Sequence, residues 1–557
     1  MIKDSGSMAA AQDQLVLRSN SNGSRPRILV ADTFAAEGLA ILEARAQVDV
    51  RKGLSEAELI QALRDGGYRA IVVRSETKVT DAVLAASSTL QVVARAGVGV
   101  DTIDVDAATR HGVLVLNMPT GNTITTAEHT IAMLFAVTRS IPQANASLRA
   151  GNWTRAAFLG VELAGKTLGI VGLGRIGSEV ARRAQALGLR VLAYDPYISS
   201  EVGERLHVPL YESLHGMLPS CHFLTVHTPL TDETRGMIDG SALAALPTGA
   251  RVINCARGGI IEEGALLKAL DAGQIAGAAI DVFVGEPIRN PQHPLVSHPK
   301  VVTTPHLGSA TVEAEVKVAM GTAQDVLVAL DGGGVGAAVN GPLVSAEAAT
   351  SIAPFVTLAR RLGELAVQWD SGPLRRLELR VEGEIAAQNC APLTASALAA
   401  VLDQICDARV NLVNARLIAH ERGLHVDESA NRDCEPEYRS ALTLHLQRDD
   451  RRMVTLQGTV THGEPHIVAI NDYRVELALT PGIWLCTRHD DRPGLIGEIG
   501  SLLGSANVNI GFMQLGRDHP RGMALMVVGI DDPVSPELLK GIEGLPAVHS
   551  ARVVTVR

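Results

Sequence analysis

The sequence predicts an α/β protein with two doubly wound parallel-sheet lobes in succession, then an α+β segment and a small βαββαβ sandwich. Three observations lead there. Short apolar strands alternate with amphipathic stretches from Arg27 to Leu116, and the alternation restarts at Lys166 ahead of a glycine-rich turn. Aromatic residues make up only 3% of the chain, so Val, Ile, Leu and Ala must fill the cores, while 53 glycines suit tight strand-to-helix turns. A strand-and-helix pattern of a different order closes the chain after residue 480.

The first lobe reads as strands RILVADT (27–33), AIVV (70–73), QVVARAG (91–97) and VLVLN (113–117). The second reads as TLGIVG (167–172), RVLAYD (190–195), FLTVHTP (223–229), ARVINCARGG (250–259), AGAAIDVF (276–283) and KVVTTPH (300–306). Strands separated by helical patterns form βαβ units and a parallel sheet. Residues 311–330 form a long helical pattern that returns the chain to the first lobe, and DGGGVGAAVNGP (331–342) reads as a linker. Residues 336–480 alternate helices and strands without a nucleotide fingerprint. In 481–557, GIWLCTR is a strand, PGLIGEIGSLLGSA a helix, NVNIGFMQLGR with GMALMVVGI a hairpin, SPELLKGIEG a helix and AVHSARVVTVR a last strand. The division expected is a flexible leader (1–26), a first lobe (27–120 with 308–335), a second lobe (121–307), an intervening domain (336–480) and a terminal domain (481–557).

Composition excludes several classes. At 557 residues the chain needs more than one core. Its 50 basic and 60 acidic residues give a net charge of −10, without the basic block that a nucleic-acid partner requires. No apolar run approaches the roughly 20 residues that span a bilayer. The polar first 26 residues lack the apolar stretch of a signal peptide. The six cysteines (Cys221, Cys255, Cys390, Cys406, Cys434, Cys486) are too scattered for a metal set, so they read as free thiols of a reducing, cytoplasmic compartment.

Gly172-Leu173-Gly174-Arg175-Ile176-Gly177 follows a strand and opens a helix. Two glycines allow a tight turn and bring backbone N–H groups to a pyrophosphate, while the third lets helix and strand pack closely. The helix N-terminus favours the phosphate charge. Asp195 ends the next strand, where a carboxylate accepts hydrogen bonds from a ribose and repels a 2′-phosphate. No arginine follows it, so NAD is expected rather than NADP.

Arg257, Glu286 and His306 each follow a successive strand of this lobe. In an open parallel sheet, the carboxyl ends of the strands line the ligand crevice. Oxidising a secondary alcohol needs a base for the hydroxyl proton, a task that suits an imidazole. A carboxylate on its other nitrogen fixes the tautomer, and an arginine can hold a substrate carboxylate by two hydrogen bonds. Each residue alone has a plain structural reading. Their shared placement favours chemistry.

With GLGRIG, HTPLTDETRGMI, NCARGGIIEEGALLKAL, DVFVGEP and PHLGSAT, the sequence resembles the D-isomer-specific 2-hydroxyacid dehydrogenases, in their long form, over nearly all of 27–557. The resemblance implies NAD-dependent oxidation of D-3-phosphoglycerate to 3-phosphohydroxypyruvate, the first step of serine synthesis, in a homo-oligomer (dimer or tetramer). It implies Arg257 as ligand of the substrate carboxylate and carbonyl, Glu286 as partner of the histidine, and His306 as acid/base. For the cofactor it implies Arg175 and Ile176 at the pyrophosphate, Asp195 at the ribose and Asp281 near the nicotinamide carboxamide. Thr228, Cys255, Ala256, Gly308 and Ser309 complete that cleft. VVRSETKVT (72–80) and VVARAGVGVD (92–101) resemble the substrate loops, with Arg74, Ser75, Arg95 and Asn122 as phosphate and carboxylate contacts. Gly97 and Gly99 would let backbone amides reach a carboxylate.

The last domain resembles an ACT domain, an amino-acid-sensing module. HDDRPGLIGEIGSLL (489–503) and NVNI (507–510) match its ligand loop and following strand. By that resemblance His489, Asp491 and Asn509 bind a small amino acid, serine, between paired subunits. A purely dimerising module without ligand is the alternative. Residues 336–480 resemble the intervening domain of long forms, which implies a second effector or substrate site of unassigned residues. Two other functions stay open: a reductase of another 2-keto acid such as glyoxylate or hydroxypyruvate, and a non-enzymatic NAD-sensing scaffold.

Overall fold

In the computed structural model the described residues are 25–556 without 334, 343–345, 407–408 and 436, and without the side chains of 346, 347 and 349. Residues 1–24, most of the expected leader, lie outside them. Strands β1 (Arg27–Val30), β2 (Gln47–Val50), β3 (Ala70–Val73), β4 (Val92–Arg95) and β5 (Leu114–Leu116) form a parallel sheet in the order β2-β1-β3-β4-β5. Ile28, Leu29, Val30 and all of β3 are buried, as a sheet covered on both faces demands. The half-exposed edge strand β2 has too weak a pattern to be singled out from sequence.

The stretch expected to be a free linker is strapped to this sheet. Ala338 bridges Leu116, the Val339 N–H donates to Val115 O at 2.8 Å, and the Asn117 N–H donates to Ala337 O at 3.2 Å. Asn340 Oδ1 accepts from the Val115 N–H at 2.8 Å, while its amide nitrogen donates to Val113 O and Thr109 Oγ1. The cause is the β5 edge, whose backbone donors and acceptors need partners.

The second lobe carries β6 (Thr167–Val171), β7 (Arg190–Tyr194), β8 (Phe223–Val226), β9 (Ala250–Asn254), β10 (Ile275–Ile280) and β11 (Val301–Thr303), in the order β11-β10-β9-β8-β6-β7. Every pair is parallel. Helices α1 (Thr123–Arg139) and α2 (Arg175–Ala186) share a core with it, in which Ala127, Leu134, Val180 and Ala184 meet Ile170. β3 spans the run read from sequence, whereas the other strands read there stop short of theirs. The excess residues (Asp32, Gly97, Cys255–Arg257, Asp281–Phe283, Thr304–His306) form the loops at the carboxyl ends.

Among the described residues, 119–319 form one compact unit, and 25–118 with 320–556 form another. Helix α3 (Val312–Leu330) runs from the first into the second. In the larger unit, α4 (Ala346–Trp369) and α5 (Ala391–Asp403) pack on a mixed sheet of β12 (Leu374–Gly383), β13 (His425–Asn431), β14 (Ser440–Arg448), β15 (Met453–Thr461), β16 (Glu464–Ile470) and β17 (Tyr473–Ala478). Its order is β13-β12-β14-β15-β16-β17, with only β12 and β13 parallel. Two side chains tie this domain to the first lobe. Arg409 donates to Leu90 O at 3.0 Å, and Asn411 donates to Gly112 O at 2.7 Å.

The terminal domain is β18 (Gly482–Asp490), α6 (Leu495–Ser505), β19 (Ile510–Arg517), β20 (Met523–Ile530), α7 (Pro536–Glu543) and β21 (Val548–Val556), with the antiparallel order β19-β20-β18-β21. One sheet face, with Leu485 and Met526, packs on α6 and α7 through Ile499 and Ile542. The other, with Trp484, Cys486, Val527 and Val554, joins the core of α4 and β14. Gln368 on α4 bonds both the N–H and the carbonyl of Thr555. Among the described residues no helix is long and apolar enough to cross a membrane.

Candidate active site

The glycine turn has the room that the sequence asks for. Gly172 is at φ +90°, and a Cβ there would sit 2.7 Å from His227 O. A Cβ on Gly177 would meet Gly172 O at 2.1 Å, so the third glycine is required for helix and strand to approach. Gly174 caps α2 without a side-chain hydrogen bond, and a Cβ on it would meet nothing within 4 Å. The first-turn N–H groups of Arg175, Ile176 and Gly177 therefore lack side-chain caps and suit an anion. Asp195 stands beside this turn, with Oδ2 accepting from the Leu173 N–H at 2.9 Å and Oδ1 from the Tyr197 N–H at 3.0 Å. At the end of β8, Thr228 Oγ1 is buried without a partner among the described residues. A glycine cradle, a carboxylate at the next strand end and an orphaned hydroxyl fit a dinucleotide. Next to Thr228, burial pushes the His227 imidazole down to about 4, so it stays neutral.

The group expected to carry acid–base chemistry is built from three neighbouring strand ends. Asn254, Ile280 and Thr303 stand level across β9, β10 and β11, strands spaced about 4.8 Å apart. Arg257, Glu286 and His306 lie a few residues beyond. His306 Nδ1 is 2.6 Å from Glu286 Oε2, and Glu286 Oε1 accepts the Phe283 N–H at 2.7 Å. Burial alone would raise the Glu286 carboxyl, but the His306 hydrogen bond and the Phe283 N–H hold it below its ordinary value. An ionised carboxylate only accepts, so Nδ1 carries a proton and the neutral ring keeps a lone pair on Nε2. The imidazole is about half exposed. It is set up as a base.

Arg257 Nη1 donates to Ala256 O at 2.7 Å, and Asn254 Nδ2 fixes the Arg257 carbonyl at 2.9 Å. A Cβ on Gly258 would lie 2.1 Å from Phe283 O, so the Arg257 loop presses directly on the loop that carries Glu286. His306 itself has φ +56°, a left-handed conformation rare outside glycine. Asp281 holds that turn: Oδ1 accepts the Leu307 N–H at 2.7 Å and Oδ2 the Gly308 N–H at 2.8 Å. Asp281 is wholly buried, with its carboxylate bonded within its own turn. Cys255 is buried as well, and burial pushes its thiol far up. Ala256 and Ser309 are half-buried neighbours of these loops.

Asn122 precedes α1, and its Oδ1 is buried without a partner among the described residues. The other expected substrate residues belong to the larger unit. Arg95 ends β4 and lays its guanidinium over Gly97, where a Cβ would sit 1.5 Å from Arg95 Nη1. The Arg74 N–H bonds the buried Asp32 carboxylate, which also takes the Thr77 hydroxyl at 2.6 Å. Ser75 is exposed beside it. Asp32 was legible in principle as a charged residue ending an apolar strand. His129 and Thr304, which touch Asp281, carry no signal in the sequence.

Comparison with known proteins follows this geometry. Residues 131–308 match the NAD-binding domain of D-isomer specific 2-hydroxyacid dehydrogenases, 351–471 the D-3-phosphoglycerate dehydrogenase intervening domain, and 486–547 the ACT domain. A D-3-phosphoglycerate dehydrogenase of Synechocystis is 42% identical over 95% of this chain and 94% of its own. Another, from Archaeoglobus fulgidus, is 40% identical over 95% and 99%. The chain belongs to the D-3-phosphoglycerate dehydrogenase family. The crystal structure of TT0316 protein from Thermus thermophilus is 36% identical, covers 55% of this chain and 97% of its own, and superimposes with a TM-score of 0.51. Membership makes NAD the cofactor that the glycine cradle fits.

The three residues expected to bind an effector in the terminal domain are dispersed within one chain. His489 on β18 is buried, bonded through Nδ1 to Thr487 Oγ1 at 3.2 Å, and burial pushes its imidazole down. Asp491 accepts the Arg521 N–H at 3.0 Å and an Arg517 guanidinium N–H at 3.1 Å, which hold its carboxyl low. Asn509 donates to Asp531 at 2.6 Å. Ile483 and Ile510 both register with Ile530, whereas Asp490 registers with Met523. Asn509 therefore lies at the opposite end of the sheet from His489 and Asp491, roughly 20 Å away. One chain does not bring the three together.

Proposed function

We propose that this protein oxidises D-3-phosphoglycerate to 3-phosphohydroxypyruvate at the head of serine synthesis. The hydrogen bond from His306 to Glu286 carries the reading, because it leaves Nε2 free to take the C2 hydroxyl proton. Glu286 then steadies the imidazolium that forms, and Arg257 holds the substrate carboxylate and the carbonyl that develops. Bound NAD supplies the acceptor for the hydride that leaves C2. Gly172, Gly174, Arg175, Ile176, Gly177, Asp195 and Thr228 hold that cofactor. The substrate's anionic groups are the ligands of Arg74, Ser75, Arg95, Gly97 and Asn122.

Serine is the proposed effector, bound by His489 and Asp491 of one chain with Asn509 of a second copy, since a single chain separates them. Homo-oligomerisation is further supported by a segment with uncovered apolar side chains, in which Ile141, Leu148, Trp153 and Leu159 are all more than half exposed. A cytoplasmic location suits six free cysteines.

The test is NADH formation with D-3-phosphoglycerate, with glycerate and lactate as comparators, and with serine added. Preferred turnover of 3-phosphoglycerate that serine lowers is expected. Equal or better turnover of glycerate would assign the chain to a hydroxypyruvate or glyoxylate reductase instead.

A further inference from the structure

We propose that His129 is a positioning residue for the acid–base turn: through the Asp281 carboxylate it holds the Leu307 and Gly308 amides, and with them His306, in place. The inference rests on the reading of His306 as acid/base. His129 lies on α1, far in sequence from the strand ends that carry the chemistry. Its Nε2 is 3.3 Å from Asp281 Oδ1 and 3.2 Å from Thr304 Oγ1.

The argument starts from Asp281. A carboxylate has about four acceptor positions. Three are taken by the Thr304 hydroxyl at 2.5 Å and by the Leu307 and Gly308 N–H groups. Those two amides immediately follow His306, and the His306 N–H itself donates to Asp281 O at 2.9 Å. The left-handed backbone at His306 is therefore held from both sides by one residue. The carboxylate has no solvent contact, and a buried charge needs a compensating partner.

The titratable groups that face Asp281 are few. Cys255 comes from the end of β9, with a thiol that burial and the Asp281 charge push up, so it stays neutral. Glu286 and His306 come from the loops after β10 and β11, and the Glu286 carboxylate repels Asp281. Among the described residues, His129 is the remaining one. Burial would raise the Asp281 carboxyl, yet it stays below its ordinary value, and the His129 hydrogen bond leads the groups that lower it.

Hydrogen-bond polarity fixes the tautomer. The Thr304 hydroxyl gives its proton to Asp281, so it can only accept from His129, and the carboxylate can only accept. His129 Nε2 must therefore carry a hydrogen. A lone pair there would face two acceptor oxygens.

The experiment compares H129A and H129Q with the wild-type chain. The glutamine amide nitrogen reaches nearly as far as Nε2 and donates, whereas alanine does not. H129A is expected to lower kcat on the order of tenfold to a hundredfold, because small misplacement of a catalytic group costs that much. Its acid-side midpoint in kcat/KM moves to higher pH, since Asp281 is protonated sooner without its donor. H129Q restores most of kcat and returns the midpoint.

The cofactor-free protein gives a second readout: the Tm of H129A falls at a higher pH than that of wild type. If H129A does not fold, H129N, whose amide ends short of Asp281, replaces it. An unshifted acid limb in H129A, or an H129Q as impaired as H129A, would overturn the proposal. Wild-type turnover in the same assay tests the acid/base reading on its own, so the two failures are distinguishable.

Discussion

The proposed acid–base group and the proposed effector set are both short lists of polar residues at strand ends, yet they are organised in opposite ways. His306, Glu286 and Arg257 come from adjacent strands of one parallel sheet, and each is fixed by backbone hydrogen bonds within its own or a neighbouring loop. His489 and Asp491 lie at one end of an antiparallel sheet, and Asn509 lies at the other. In a parallel sheet every strand delivers its carboxyl end to the same edge, so distant sequence positions converge without a partner. In an antiparallel sheet successive strands deliver alternate ends, so residues flanking different strands are parted. The proposed chemistry is preassembled within one chain. The proposed sensing is left for two.

Several experiments would break or sharpen that contrast. The largest effect is expected from H306Q, which removes the base while keeping its size. Its kcat should fall by about 10²- to 10⁴-fold with NADH binding, read by fluorescence, unchanged. Retained turnover would dissolve the idea of a preassembled site. W484A tests the other side, because this indole anchors the terminal sheet to the core of α4. A loss of about 3–5 kcal/mol in unfolding free energy is expected, read by denaturant titration. A neutral result would mean that the terminal domain does not depend on its neighbour.

E286Q should lower kcat by about a hundredfold, less than loss of the base itself. Its carboxyl is held low, so its charge is present above the ordinary value of 4.5 and is lost only as pH falls through the depressed value. A wild-type pH profile with an acid limb above 4.5 therefore reports another group. The smallest effect is the most specific. D491A and N509A chains, each insensitive to serine alone, should regain part of their inhibition when mixed and re-associated. Mixed oligomers as insensitive as their parents would return the effector site to a single chain.

Much of this was legible in the sequence because its physics is local. A strand, a glycine turn and a helix announce a cofactor cradle within a dozen or so residues, and Gly172 and Gly177 have the steric need that the motif implies. Arg257, Glu286 and His306 were readable because each directly follows a strong apolar strand. The strap at 337–340 was not, since nothing in a glycine-rich run names the strand edge it will cover. Nor was His129, whose partner Asp281 is its neighbour only once helix and sheet have packed. The dispersal of the effector residues required the strand register, which sequence pattern does not supply.

The strap has a consequence for how the enzyme could be shortened. A catalytic fragment ending at residue 336 would lose the partners of Val115 and Asn117 and present a bare strand border, the kind of surface on which copies stick to one another. One ending at residue 342 would keep that border occupied. Light scattering of the two fragments at equal concentration should show the shorter clouding first, which would make six residues of apparent tether the difference between a dispersible and an adhesive protein.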